Sequence, residues 1–133
     1  MQIRRYTPPD EPALFRLLAE AGPDWSAYAL EPGRTRYARA LSRSVTYLAL
    51  EGPDAIGYVR CREDDGFGVY VYDLLVTTAH RGRQIGRLLM EQACADYPDQ
   101  TVYVMSDADG YYEKLGYARA GSIFIVRPRQ QEF

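Results

Sequence analysis

The stretch Asp73-Leu-Leu-Val-Thr-Thr-Ala-His-Arg-Gly-Arg-Gln-Ile-Gly-Arg-Leu-Leu-Met90 decides how the chain is read, because an apolar strand pattern runs into a short polar turn and then into a helical pattern. Asp73 to Val76 reads as the end of a strand. Ile85, Leu88, Leu89, Ala93 and Tyr97 recur at helical spacing until Pro98 closes the segment. Between them lies R-G-R-Q-I-G, residues 81–86. The first turn of a helix leaves about four N–H groups without an intrahelical partner, and the summed peptide dipole makes that end partly positive. Such an end binds phosphate. Gly82 and Gly86 lack a Cβ, so an anion can approach the backbone, while Arg81, Arg83 and Arg87 add positive charge around it. Taken alone, the same residues also describe an ordinary strand-to-helix turn with solvated arginines.

Working outward, the 133 residues are 47% hydrophobic and 26% charged, the balance of one globular domain with a real core. The formal net charge is -2, and Lys114 is the only lysine, so no lysine-rich tail is available to track nucleic acid. This argues against a nucleic-acid partner. Cys61 and Cys94 stand far apart with no C-x-x-C and no histidine cluster, which suggests neither a zinc site nor a disulfide framework; both are expected to be small buried hydrophobes. No signal-peptide core precedes the domain, and no apolar run approaches the roughly 20 residues a membrane helix needs. The expectation is a cytoplasmic chain with no membrane partner.

Toward the N-terminus, Gln2 to Tyr6 reads as a first strand, and Thr7-Pro8-Pro9-Asp10 supplies helix-start chemistry. Leu14, Leu17, Leu18 and Ala21 then form one apolar stripe that Gly22-Pro23 ends. Trp25 to Pro32 reads as irregular, and a shorter helix is predicted over Arg34 to Arg43. Val45 to Glu51, Ala55 to Glu63 and Phe67 to Val76 are strand-like runs joined by connections too short for parallel crossovers, hence an antiparallel meander. The helix from Arg83 to Tyr97 is long enough to return the chain to a parallel strand at Thr101 to Met105. A short capped helix over Gly110 to Leu115 and one bent strand or two short ones over Tyr117 to Val126 complete the series.

Together, the strand ending L-L-V, the turn R-G-R-Q-I-G-R-L-L and the later Y-Y-E-K-L-G-Y closely resemble the GNAT superfamily of N-acetyltransferases, and the order of elements matches from Gln2 to Val126. The resemblance implies an α/β fold (α+β in some schemes) of three layers, with a mixed, splayed sheet of six or seven strands and four helices. Residues 1–127 would form the domain and 128–133 a short frayed tail. The family's Q/R-x-x-G-x-G/A motif, which binds the coenzyme A pyrophosphate, corresponds to Arg81-Gly82-Arg83-Gln84-Ile85-Gly86. Arg81 and Gly86 match; Gln84 replaces the first glycine, and its N–H would serve with an ordinary negative φ. The splayed strand end, Leu74, Leu75 and Val76, would pair its backbone with the pantetheine arm, and Arg87 would extend the phosphate site.

Acetyl-CoA is thus the implied co-substrate, with no metal, and a primary amine of a small molecule or peptide the implied acceptor. Attack of an amine on a thioester builds an oxyanion that a strand-end N–H could stabilise. The departing thiolate, whose thiol has a pKa of about 8.5, needs a proton. Tyr112 occupies the tyrosine of the family's F-Y-E-K-L-G-F pattern and is the candidate general acid, while Tyr111 and Tyr117 read as core aromatics. The base is poorly marked. Asp73 is the candidate, with pairing to an arginine as its alternative role; Tyr70, Tyr72 and Glu63 could position a water, and His80 reads as an exposed loop residue. A noncatalytic acyl-CoA sensor is the rival reading, an RNA-directed acyltransferase a further one, and either a monomer or a homodimer is compatible with the chain.

Overall fold

In a computed structural model, which describes residues 1–129, side-chain alternation along the middle strands creates two cores on one sheet. β2 (Val45–Glu51) sends Val45, Tyr47 and Ala49 to one face and Leu48 and Leu50 to the other, the two-residue period of a strand buried on both sides. The face bearing Leu48 and Leu50 is covered by α1 (Glu11–Glu20), α2 (Ser26–Ala29) and α3 (Gly33–Ser42), through Leu14, Phe15, Leu17, Leu18, Tyr37 and Leu41. The other face receives α4 (Ile85–Asp96), whose Ile85, Leu89, Met90 and Ala93 fall on one helical stripe and meet Tyr47, Val59 and Val71. Tyr47 also donates to Asp96 Oδ2 at 2.6 Å, fastening the end of α4 to the sheet. These are the three layers expected.

β1 (Gln2–Arg5), β2, β3 (Asp54–Glu63) and β4 (Val69–Val76) pair antiparallel in sequence order, and β5 (Val102–Val104) lies parallel to β4 at the edge. The parallel step is the one that needs a crossover, and α4 provides it. At the other edge, Arg4 donates to both oxygens of Asp10 at 2.7 Å, and the Thr7 N–H donates to Asp10 Oδ2 at 2.8 Å, so β1 is clamped to the entrance of α1.

Among the described residues the sheet has five strands rather than six or seven, and five α-helices stand where four were expected, because the Trp25 to Pro32 connector, read as irregular, contains α2; α5 (Asp109–Lys114) is the short helix expected after β5. The difference in strands falls on Tyr117 to Val126. The Tyr117 N–H closes on the Tyr112 carbonyl at 3.2 Å, and beyond it the described residues make no ladder with the sheet; Ile123, Phe124, Ile125 and Val126 are exposed. Strand-like composition describes a surface that fits a sheet, and only a neighbouring strand turns it into one. Cys61 is buried as expected, whereas Cys94 is exposed, being one residue past the inward stripe of α4 at Ala93. Of the tail expected at 128–133, residues 130–133 lie outside the described residues.

Leu89 is fully buried at the centre of the α4 stripe. Leu89→Ala is expected to cost about 2–5 kcal/mol, the usual range for a truncated core leucine, as measured by urea unfolding. A loss under about 0.5 kcal/mol, the size of an ordinary surface change, would show that α4 is not packed as described.

Candidate active site

β4 and β5 pair for only three residues, Val69–Val71 with Val102–Val104, and the Met105 N–H reaches the Val71 carbonyl at 3.0 Å. Past that bond the two strands share no register. On its other side β4 carries a bulge: Arg60 pairs with Asp73 and Cys61 with Val71, which leaves Tyr72 as the extra residue. A bulge bends its strand and re-aims the side chains beside it. Where the strands part there is a cleft of about 410 Å3. Val71, Leu74, Val104 and Met105 line its strand sides, Trp25 and Tyr28 its helical wall, and Tyr72, Tyr112 and three carboxylates the remainder.

The amino end of α4 lies next to the end of β4, linked by the Arg81 guanidinium, which donates from Nε to the Val76 carbonyl at 3.2 Å. The first side-chain-independent contact within the helix is the Leu88 N–H to the Gln84 carbonyl at 3.0 Å, so the N–H groups of Ile85, Gly86 and Arg87 are the orphans of the first turn. Gly82 and Gln84 both have positive φ, 80° and 64°, with Arg83 between them. Alternating hands at successive residues fold N–H groups into a concave nest that suits an anion.

The expectation of an ordinary negative φ at Gln84 is therefore corrected. The residue sits in the left-handed region, the conformation in which glycine is free of the Cβ cost. The glycine position of the motif is conformational in this chain, and the glutamine accepts the conformation at a cost. Gly86 has a different reason to lack a side chain. It is buried, and a Cβ there would stand 2.5 Å from the Tyr111 hydroxyl oxygen. Tyr111 is thus no core aromatic; it is 43% exposed, with its hydroxyl against the first turn of α4. That placement was invisible in the sequence, where Tyr111 and Gly86 are 25 residues apart and belong to separate motifs.

Of the other residues predicted for the phosphate site, Ile85 is buried in the core and contributes only backbone. Arg87 is tied to Glu91 at 2.8 Å, while Arg83 has no ion pair among the described residues. Leu74 lines the cleft, Leu75 faces the opposite core and Val76 is half-buried.

Asp73 is 8% exposed, and its Oδ2 accepts from the Tyr37 hydroxyl at 2.7 Å and from Arg60 Nε at 2.6 Å. Tyr37 in turn lies 2.8 Å from the Tyr58 hydroxyl. Burial pushes the Tyr37 and Tyr58 phenols well above their ordinary range, so both remain neutral partners. The arginine pairing weighed for Asp73 is present, and the carboxylate also lines the cleft. Arg60, Tyr37 and Tyr58 went unmarked in the sequence because no short motif joins them.

Tyr112 is half-buried, edge-to-face with Tyr111 at 5.0 Å. Its phenol is pushed up to about 12, first by burial and then by the negative charge of Asp107. His80 bridges Thr77 and Glu51 at 2.7 Å each and braces the turn after β4. Glu63 accepts from Gly66 N–H and Gln100 Nε2 at the β3–β4 turn, and Tyr70 stacks on Tyr103. Neither lines the cleft; of the three proposed water-positioning residues only Tyr72 does.

A parted parallel strand pair beside a nest at a helix start, under helices on both faces, defines the class. A model of the acetyltransferase (GNAT) family matches residues 11–117, and the chain belongs to that family. Similar solved structures include a GNAT-family acetyltransferase from Streptococcus pneumoniae TIGR4, at 25% identity and TM-score 0.67 over 96% of this chain and 98% of that one. An aminoglycoside acetyltransferase from an uncultured soil metagenomic sample matches at 25% identity and TM-score 0.73, covering 96% and 97%. A ribosomal-protein-alanine N-acetyltransferase from Brucella melitensis biovar Abortus 2308 shares the fold, at 17% identity and TM-score 0.72 over 95% and 97%. Among the described residues no helix is long and apolar enough to cross a membrane.

Because Gln84 holds a left-handed conformation, Gln84→Gly is expected to stabilise the protein by roughly 1 kcal/mol, offset in part by glycine's greater unfolded-state entropy. A rise in the thermal midpoint checks this. A fall would mean that the glutamine side chain contributes more than its backbone costs.

Proposed function

We propose that the chain is an acetyl-CoA-dependent N-acetyltransferase, carried by residues 1–127 as one domain, that moves an acetyl group directly to a primary amine. The observation that carries this reading is the opening of β4 from β5 beside the unpartnered N–H groups of α4, with Tyr112 in the same cleft. The nest at Gly82 to Gln84, the first turn through Arg87, and the free Arg83 would hold the pyrophosphate. The strand end Leu74, Leu75 and Val76 would hold the pantetheine arm by its backbone. Acetyl-CoA supplies an acetyl group already activated as a thioester, and a chain that consumes it would work in the cytoplasm.

The acceptor nitrogen must be neutral to attack. Asp73 keeps one oxygen, Oδ1, outside its bonds to Tyr37 and Arg60, and we assign it as the acceptor of the nitrogen's proton, to be passed on to water. As the C–N bond forms, charge develops on the thioester oxygen, where a strand-end N–H stabilises it without reorganising. The C–S bond then breaks, the sulfur takes its proton from the Tyr112 hydroxyl, and the nitrogen, now bonded to carbon, gives up its second proton to water, from which Tyr112 recovers one. A phenol near 12 is a weak acid but a fully protonated one throughout the physiological range. Direct transfer suits this cleft, since Cys61 is buried on the α4 face and Cys94 lies outside the cleft lining. The relative whose described acceptor is an aminoglycoside, a molecule bearing several primary amines, supports a nitrogen acceptor.

Tyr112→Phe is expected to lower turnover by about 10²–10⁴-fold, the usual contribution of a positioned acid, with coenzyme A affinity retained in calorimetry. In the unmodified protein, the alkaline limb of the turnover profile should show no loss from Tyr112 up to about pH 10, because the required protonated form disappears only as pH rises through about 12. Full turnover in the phenylalanine variant would remove Tyr112 from the mechanism. Tight coenzyme A binding with no turnover on any amine would favour an acyl-CoA sensor.

A further inference from the structure

We propose that the amine acceptor is a small polycation, a diamine or polyamine, held by the acidic and aromatic half of the cleft; the assignment rests on the acetyl-transfer reading above. Three carboxylates from three separate parts of the chain line one cleft: Asp24 in the turn before α2, Asp73 on β4 and Asp107 between β5 and α5. No arginine or lysine lines it. Asp24 and Asp107 make no hydrogen bond or ion pair among the described residues, so their charge is directed at whatever enters. Asp73 is different in kind. It is more than nine-tenths buried, both bonds it accepts go to Oδ2, and Oδ1 receives none from the described residues while not being sealed from solvent.

The charge is set against the opposite sign at the far side of the site. Arg81, Arg83 and Arg87 belong to the nest turn and the first turn of α4, whereas the cleft lining holds three carboxylates and no arginine or lysine. A chain of formal net charge -2 thus sorts its charges by position within one site. Trp25 and Tyr28 line the same cleft, and aromatic rings attract ammonium groups. Tyr28 is held by stacking on Tyr37 at 4.3 Å, and Trp25 packs on Tyr28 at 5.8 Å, so this wall is ordered by the core behind it. A volume of about 410 Å3 is the size of a small-molecule site.

The attacking nitrogen cannot itself answer these charges, because it must be neutral when it attacks. Arg60 balances Asp73 through their 2.6 Å ion pair, which leaves Asp24 and Asp107 to be matched by a second cationic group on the acceptor. A free amino acid would instead bring a carboxylate toward two others and be repelled.

The test compares pentylamine, cadaverine, spermidine and aminocaproate at equal ionic strength, by thiol release from acetyl-CoA and by fluorescence of Trp25, which is the only tryptophan of the chain and lines the cleft. Cadaverine and spermidine are expected to exceed pentylamine in kcat/KM by about tenfold or more, aminocaproate to be the poorest, and the advantage to shrink at high salt. Asp24→Asn combined with Asp107→Asn should raise KM for spermidine and erase the preference, with coenzyme A affinity little changed. Both positions are exposed, and retained thermal stability confirms folding.

Saturable quenching of Trp25 by spermidine and not by pentylamine, lost in the double variant, supports the acidic pocket even if no amine is turned over, an outcome that would sink the acetyl-transfer reading alone. Equal kcat/KM and equal quenching for pentylamine and cadaverine, or a preference for aminocaproate, would overturn the polycation assignment while leaving acetyl transfer intact.

Discussion

The candidate cleft depends on the early parting of β4 from β5. A parallel pair that continued for the full length of β4 would use its strand-end N–H and C=O groups in a ladder, and no ligand could reach them. Here the pairing stops after Val71 and Val104, and the bulge at Tyr72 bends β4 at the next residue. The crossover from β4 to β5 runs through α4, which lies on one face of the sheet with Ile85 and Leu89 in the core. Burial of the α4 stripe therefore positions a helix start, an open strand end and a cleft together.

The bend is held by a buried polar cluster rather than by packing alone. Asp73, one residue past the bulge, is bound by Arg60 from β3 and Tyr37 from α3, and Tyr58 closes the chain of hydroxyls. An ionised carboxylate so far inside is tolerated only with such partners. The cluster joins one helical layer to two strands at the floor of the cleft, so the geometry of the acceptor side is coupled to the stability of the α3 face. Arg60 also lies 5.5 Å from the ring centroids of both Tyr37 and Tyr72, which fixes the aromatic edge of the same opening.

At the other end of the site the backbone carries the burden. Gly82 and Gln84 in left-handed conformations turn the chain from Val76 into α4 within a few residues and leave N–H groups facing outward. That a glutamine occupies one of these places means local strain is accepted where the turn must form, as is common at sites that bind ligands. At Gly86 the Tyr111 hydroxyl of α5 approaches the first turn of α4 closely enough that an added Cβ would stand 2.5 Å from it.

Much of this was legible in the residues. Strand alternation, the helical stripe of α4 and the crossover length determined an antiparallel meander followed by one parallel step, because burial periodicity and connection length are local properties. The turn R-G-R-Q-I-G and the run around Tyr112 marked the proposed coenzyme side and the proposed acid for the same reason: each is a short run of contiguous residues. What tertiary structure alone decided was of another kind. The φ of Gln84 follows from the angle at which α4 must leave β4; the exposed course of Ile123 to Val126 follows from the lack of a ladder to receive it; and the partners of Asp73 come from positions 13 and 36 residues away. The gathering of Asp24, Asp73 and Asp107 around one opening belongs with these, since charges far apart in sequence acquire a common field only when folding brings their elements together.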